Sequence, residues 1–369
     1  MGMKHFHPLF ARIDLGRLHA NVDLIHRVAK VPLLPVIKAN AYGHGAVAIA
    51  KELVKRKEVA ALCVGTVAEG MELRKAGIKG RIILLDWVFP EQASDMAELG
   101  LEASVSSLAG AKALARRGVR RPIVVHVKFN TGMARLGADM EGAVVMYEKI
   151  AALKGIRIAS VMTHLADSGN GGGFTAAQLE LFDGALAAIK ARGHALPPRH
   201  AANSGGIFLH PESRYDMVRP GISVYGVQEF GEKDAGLKPV LSLHARVSFV
   251  RDVKKGDSVS YGMRWTSPGR RKVAVVSLGY ADGYHRVLSG KARAIINGKY
   301  APQIGTICMD SAMFDVTGVD VKEGNIATLI GEEGRLKVAA VELAREAGTI
   351  AYEILCGIGR RAERFYINK

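Results

Sequence analysis

The sequence predicts an α/β barrel of the (β/α)8 kind over residues 1–237, followed by a mainly β domain over 238–369. Two observations carry this prediction. Eight short apolar runs, most of them leading into a helical stretch, occupy the first ~230 residues, the size of one closed barrel. After Lys238 the texture changes to apolar runs joined by Gly-, Asp- and Asn-containing turns, an all-β pattern. A chain of 369 residues suits two domains, and a hydrophobic content of 49% against 23% charged excludes a disordered chain.

The runs are, in order, Leu33–Ile37, Ala61–Val64, Arg81–Leu85, Leu101–Val105, Ile123–Val127, Ile158–Met162, Arg199–Ala202 and Asp216–Val218. Amphipathic pieces such as Glu69–Ala76, Glu91–Leu99 and Thr175–Ala191 lie between them. An open doubly wound sheet would show the same alternation, and periodicity alone does not separate the two. The boundary is placed at Gly236-Leu237-Lys238-Pro239. Beyond it come Leu241–Val250, Val273–Ser277, Ala292–Asn297 and Ala327–Ile330 as strands, with one helix, Lys337–Ala347. No repeat of fixed period accompanies the alternation.

Lys and Arg number 51 against 35 Asp and Glu, a net charge of +16. Such an excess raises nucleic acid or an anionic membrane as partners. The basic residues rarely cluster beyond pairs such as Arg116-Arg117 and Lys254-Lys255, and aromatic content is only 6%, too little for a stacking platform. Neither partner is therefore expected. Cys63, Cys308 and Cys356 are an odd count with no C-x-x-C pair, which argues for a reducing compartment. Met1–Asp14 lacks the apolar core and cleavage site of a signal peptide. Gly2 follows Met1, but Phe6 stands where a myristoylation signal requires Ser or Thr. No apolar run approaches the ~18 residues of a spanning helix. A cytoplasmic protein is expected.

In a barrel the residues just after each strand line the C-terminal mouth, where active sites sit. Here the first run feeds Lys38-Ala39-Asn40-Ala41-Tyr42-Gly43-His44-Gly45 and the fifth feeds Lys128-Phe129-Asn130-Thr131-Gly132-Met133-Ala134-Arg135. His164 follows the sixth, Asn203-Ser204-Gly205 the seventh and Arg219-Pro220-Gly221-Ile222 the eighth. Lys38 leaves a run that should be buried, where desolvation favours the neutral amine. A neutral amine can form a Schiff base with an aldehyde and later act as a base; a lysine snorkelling from the barrel mouth is the plain alternative. The small residues after the seventh and eighth runs suit an anion held by backbone amides, and equally suit ordinary tight turns. Together the two features point to a phosphorylated aldehyde cofactor. Gly169-Asn170-Gly171-Gly172-Gly173 reads as a surface loop, since no Gly-Lys-Ser/Thr follows it.

The string Pro35 to Gly45 (PVIKANAYGHG) resembles the cofactor signature of alanine racemases. The resemblance continues in order through Lys128–Gly137 (KFNTGMARLG), Met162–Ala166, Ala202–Ser204, Val218–Ile222, Val259–Gly262, Leu278–Gly283, Ile307–Asp310 and Tyr352–Cys356. It implies a pyridoxal 5'-phosphate enzyme that interconverts L- and D-alanine by a two-base mechanism, supplying D-alanine for peptidoglycan. Lys38 would hold the cofactor and act as one base. Tyr261, reaching in from the second subunit of a head-to-tail homodimer, would be the other. Tyr42, Asn203, Ser204, the amides of Gly221 and Ile222, and Tyr352 would bind the cofactor, chiefly at its phosphate. Arg219 would face the pyridine nitrogen with His164 bonded to it. Arg135 and Met309, the latter from the partner, would receive the substrate carboxylate. Lys128 would carry a carbamate that orients Arg135, and Tyr280 and Asp310 would lie at the substrate entrance. No metal is implied.

Three positions depart from the family pattern: Ala134, Thr306 and Ser311. Two lie beside the carboxylate site or the entrance and bear on substrate breadth more than on reaction type. A racemase of serine or lysine is the nearest alternative. A pyridoxal-phosphate decarboxylase of the same fold is another, but its family has glutamate before Pro-Gly where this chain reads Arg219-Pro220-Gly221.

Overall fold

Prolines shape the start of the barrel. Pro32 and Pro35 have no N–H, so the first run cannot form a full ladder and makes bridges instead: Leu33 with Val59 and Val218, and Val36 with Cys63. Leu34 N–H donates to Val218 O at 2.8 Å, Val36 N–H to Pro220 O at 2.9 Å and Ile37 N–H to Cys63 O at 2.8 Å. The computed structural model of the chain describes residues 7–118 and 121–368. The expectations drawn from Met1, Gly2 and Phe6 lie outside the described residues.

From this first stave the parallel sheet runs Leu62–Val64, Ile82–Leu84, Glu102–Val105, Ile123–Asn130, Ile156–Met162 and Arg199–His200. Asp216 N–H to Arg199 O (3.1 Å) and Arg219 N–H to Ala202 O (2.9 Å) attach the eighth run and close the ring. The closed barrel, not the open sheet, is therefore the architecture. Helices at Val67–Lys75, Ala93–Glu98 and Gly173–Ala191 fall on the amphipathic pieces expected, and Leu15–Ala29 adds one that the sequence analysis did not mark. Its buried stripe of Leu18, Val22 and Ile25 faces the core. The glycines Gly171–Gly173 are exposed and open the helix Gly173–Ala191, in keeping with a surface loop.

The second half is a sheet of order Leu336–Val338, Ile326–Glu333, Arg293–Ile296, Lys299–Ile304, Ala312–Asp315, Arg271–Val276, Leu241–Val253, Leu9–Asp14, Glu363–Ile367. The long strand Leu241–Val253 also pairs with Ile326–Glu333, so six of these strands close on themselves. The strands Lys299–Ile304, Ala312–Asp315, Leu336–Val338 and Glu363–Ile367 were not read from sequence, and two further features were missed with them. Leu9–Asp14 precedes the barrel in the chain yet pairs antiparallel with Leu241–Val253 and parallel with Glu363–Ile367. Local pattern cannot name a strand's partner across more than 230 residues. The second is a further helix, Ala351–Gly357, where only Lys337–Ala347 was expected. It is two turns long with no side-chain cap, too short for a period to register.

The two halves share one hydrophobic cluster running from Leu18 and Tyr225 to Leu241 and Leu355. Their junction is clasped by the buried Asn21, whose amide donates to Lys238 O (2.8 Å) and Val224 O (3.2 Å) and accepts from Lys238 N–H (2.8 Å). Among the described residues no helix is long and apolar enough to cross a membrane.

At that junction Gly226 has φ +76°, and a Cβ there would lie 1.7 Å from Lys238 O. Gly256 has φ +90° but open space around it. Gly256→Ala is expected to cost about 1–3 kcal/mol through backbone strain alone, and Gly226→Ala clearly more because backbone must move. Urea unfolding checks this; equal midpoints for the two variants would contradict the packing described.

Candidate active site

Immediately after the first stave the chain makes a left-handed turn. Ala39, Asn40, Ala41 and Tyr42 all have φ between 51° and 54°, a conformation costing ~1–2 kcal/mol per residue. The surroundings hold it. Glu69 accepts the amides of Ala39 (2.7 Å), Gly65 (2.7 Å) and Thr66 (3.2 Å). Asn40 Oδ1 accepts from Ala46 N–H at 2.8 Å, and the buried His44 Nδ1 bonds Tyr42 O at 2.8 Å. From the far end of the chain, Arg364 Nε donates to Gly43 O at 2.8 Å. The helix Ala351–Gly357 lies so close that a Cβ on Gly43 would sit 2.1 Å from Leu355 O. The turn sets Lys38 at its start and Tyr42 at its end. The Lys38 side chain passes Gly65, where a Cβ would lie 3.7 Å from its own Cβ.

Tyr42, Tyr352, Ser204 and Gly221 meet at one corner of the mouth. The Tyr42 and Tyr352 rings are 5.7 Å apart. Ser204 Oγ accepts from Gly221 N–H (3.1 Å) and Ser223 N–H (3.3 Å). A Cβ at Gly221 would lie 2.8 Å from Tyr42 Oη, so any larger residue would push the Tyr42 hydroxyl aside. Ile222 opens a short 3-10 turn, whose first amide is an orphan donor by position. Burial raises both phenols, Tyr352 to about 12, with Glu229 adding to the latter. They stay protonated and can donate. Asn203 instead caps the following helix, accepting from Gly206 N–H at 3.1 Å and donating to Leu165 O at 3.3 Å.

The floor of the mouth is Arg219, 2% exposed. Its Nη1 donates to His200 Nδ1 (2.5 Å) and His200 O (2.9 Å). Its Nη2 faces Thr163 O (2.7 Å), Ala201 O (2.8 Å) and His164 Nδ1 (3.2 Å). Nε–H takes no part in these bonds. Burial, then Arg219, Lys128, Arg135 and Lys38 in that order, hold His164 neutral. Four cations thus converge on one imidazole. Lys38 is half-buried at the start of the turn, and Lys128 is 4% exposed. Burial, reinforced by Arg219 and Arg135, lowers Lys128 to about 8.

Tyr261, Met309, Tyr280 and Asp310 form a second group on the β domain. Thr306 Oγ1 donates to Tyr261 O at 2.7 Å, and Tyr280 N–H donates to Cys308 O at 3.0 Å. Asp310 pairs with Arg361 at 2.8 Å. Tyr261 is 72% exposed, and Met263, Met309 and Tyr280 are exposed with it. No hydrogen bond or ion pair among the described residues links this group to Lys38 or Arg219 in the same chain. Arg135 is exposed at the barrel mouth, after Ala134 in the left-handed region at φ 54°. That conformation favours glycine, or an Asn or Asp, over alanine.

Sequence reasoning missed Glu69 and His200. Thr66-x-x-Glu69 is a capping-box pattern that could have marked the former, and both of its reciprocal bonds form. The aromatic-lined corner of hydroxyls and amides suits a phosphate. A ring between Lys38 and Arg219 would find a donor at each end, and the surrounding cations suit the carboxylate of an amino acid. The residues present therefore fit pyridoxal phosphate.

Two family models match the chain: the N-terminal domain of alanine racemase over residues 13–229 and the C-terminal domain over 240–366. The alanine racemase of Symbiobacterium thermophilum is 40% identical, over 99% of each chain. The crystal structure of alanine racemase from D-cycloserine producing Streptomyces lavendulae superposes with a TM-score of 0.93 at 32% identity, covering 99% of this chain and 98% of that one. That of Bacillus anthracis, with bound L-Ala-P, superposes at 0.91 with 28% identity, covering 99% and 96%. With both domains matched along nearly its whole length, the chain belongs to the alanine racemase family, pyridoxal-phosphate-dependent isomerases.

Proposed function

We propose that this chain interconverts L- and D-alanine with pyridoxal 5'-phosphate, using Lys38 and Tyr261 as bases on opposite faces of the substrate. The observation that carries this is the separation of the two groups: the barrel mouth holds Lys38, Arg219 and the hydroxyl corner, while Tyr261 and Met309 stand exposed on the β domain. A second copy of the chain placed with its β domain over the mouth would complete the site and cover those exposed side chains. The division of labour is then residues 1–237 for the cofactor and 238–369 for the base presented to the partner.

The cofactor, when bound, makes the α-proton of the amino acid acidic by delocalising the charge left behind. Tyr42, Ser204, the amides of Gly221 and Ile222, and Tyr352 would hold its phosphate. Arg219, which can only donate, would meet the cofactor ring, its Nε–H being outside the bonds to its neighbours. His164 accepts from Arg219 and braces it. Lys38 takes or returns the α-proton on one face, and Tyr261 of the partner subunit does the reverse on the other. Inversion then needs no rotation of the substrate. Arg135 and the amide of the partner's Met309 receive the carboxylate, with Tyr280 and Asp310 at the approach. Lys128 carries a carbamate: its neutral amine bonds carbon dioxide and releases a proton to water. This replaces a cation by an anion among Arg135, Arg219 and Lys38.

Chiral analysis after incubation of cofactor-loaded enzyme with single amino acids is expected to show racemisation of alanine far ahead of serine and lysine. Lys38→Ala is expected to lower turnover by more than about 10³-fold. A serine or lysine preference would overturn the substrate assignment.

Mixing Lys38→Ala and Tyr261→Phe chains, each nearly inactive alone, is expected to restore activity, since one site of each hybrid carries both native residues. No recovery after proven subunit exchange would refute a shared site.

Carbamate formation needs the neutral amine, and Lys128 in the fold loses its proton near pH 8 rather than 10.5. The neutral fraction therefore rises as pH increases toward 8. With ¹³C-bicarbonate, a carbamate carbon signal is expected to grow from pH 6 to 8 and to be missing from Lys128→Arg. A signal of equal size in Lys128→Arg would place the carbamate elsewhere.

A further inference from the structure

A file of buried polar side chains crosses the barrel from its lower rim to Arg219. At the rim, where the strand Glu102–Val105 begins, Arg81 donates to Glu102 through Nε (2.7 Å) and Nη2 (2.9 Å). Glu102 Oε2 meets His126 Nε2 at 2.9 Å. His126 Nδ1 meets Ser160 Oγ at 2.5 Å, and Ser160 Oγ meets His200 Nε2 at 2.7 Å. His200 Nδ1 meets Arg219 Nη1 at 2.5 Å. His126, Ser160 and His200 are fully buried. The ladder shifts register between Val125 and His126 and pairs His126 with Ser160, a bulge that re-aims the imidazole along the file.

Every proton in the file follows from its two ends. A guanidinium only donates, so His200 Nδ1 must accept and His200 Nε2 must carry hydrogen. Ser160 then accepts from His200 and spends its own hydrogen on His126 Nδ1. His126 Nε2–H is left to donate to the Glu102 carboxylate, which only accepts. Both ends therefore demand one direction, and the chain between them satisfies it with two neutral imidazoles and one hydroxyl. Burial keeps both imidazoles neutral, assisted at His200 by the charge of Arg219. Burial would raise Glu102, but the bonds from His126 and Arg81 outweigh it and hold the carboxyl at about 2.

We propose that Glu102, His126, Ser160 and His200 are positioning residues, a one-way hydrogen-bond file that fixes His200 as the acceptor for Arg219 and so sets the guanidinium in the racemase site. The opposite tautomer of His200 would point N–H at N–H and turn Arg219 away. The functional part of this inference rests on the reading that Arg219 faces the cofactor ring; the direction of the file does not.

The test has two arms. In the first, the cofactor-loaded enzyme is labelled with ¹⁵N-histidine, and the ring nitrogens of His126 and His200 are read by two-bond proton–nitrogen NMR at pH 7.5. Both are expected as Nε2–H tautomers with an accepting Nδ1; an Nδ1–H or cationic His200 overturns the file. In the second, Ser160→Ala removes the central hydroxyl and Ser160→Thr keeps one. Ser160→Ala is expected to lower kcat for alanine on the order of tenfold to a hundredfold with KM within about twofold, as a misplaced group does. Ser160→Thr is expected to recover most of the loss. Full kcat in folded Ser160→Ala overturns the positioning role, and Glu102→Gln serves as the second interruption if Ser160→Ala does not fold. If the wild-type chain racemises nothing, the second arm fails with the functional reading, and the first arm still decides the file.

Discussion

The barrel is organised around a guanidinium that has almost no access to water. An ionised side chain as buried as Arg219 survives only if nearly all its hydrogens find acceptors, since an uncompensated buried charge costs several kcal/mol. The acceptors come from the ends of consecutive staves: Thr163 O from the sixth, and His200 O, His200 Nδ1 and Ala201 O from the seventh. The eighth run delivers Arg219 itself, tied through its own N–H to Ala202. Three strand ends must therefore converge to within hydrogen-bond reach of one plane. That convergence is also what brings Ser204 and Gly221 together at the phosphate corner. Geometry at the mouth and satisfaction of the buried charge are the same constraint.

The charge has a second consequence. Arg219, Arg135, Lys38 and the unmodified Lys128 all act on His164, and among the described residues no ion pair neutralises them; Asp86 offsets Lys128 at a distance only. Such a cluster is costly without a ligand, which is how a site comes to favour an anionic occupant. It also separates this mouth from one built around glutamate. In the proposed site an arginine beside the ring would donate a hydrogen bond without transferring its proton, which would confine proton traffic to the residues on the two faces of the substrate.

Much of this was legible in the sequence because it rests on local pattern. Lys38 stood out as a cation directly behind an apolar run, and the runs themselves marked seven of the staves as strands or bridged segments despite their shortness. The proline-interrupted first stave was also found, since burial rather than ladder bonding set its composition. Other features depend on contacts between distant segments and left no such trace. Nothing in Lys38-Ala39-Asn40-Ala41-Tyr42 announces four consecutive left-handed residues; only Glu69, Arg364 and the helix Ala351–Gly357 make that conformation bearable. The depth of Lys128, 4% exposed within the stave Ile123–Asn130, likewise left no mark in the local pattern.

The polar residues inside the staves were visible but easy to pass over. Glu102, His126, Ser160 and His200 each interrupt a run read as apolar, and each looks like an isolated exception. In a barrel such positions point inward, where a lone polar group would be left unsatisfied. Four on neighbouring staves therefore imply one another. Register makes this concrete: Ser104 pairs with His126, His126 with Ser160 and Met162 with His200. The inward groups thus climb the barrel from stave to stave as the strands tilt. A diagonal belt of this kind ends where the eighth stave ends, at Arg219. A buried polar residue in an otherwise apolar stave is thus better read together with its counterparts on the adjacent staves than as a tolerated defect, and here that reading leads from the lower rim to the site.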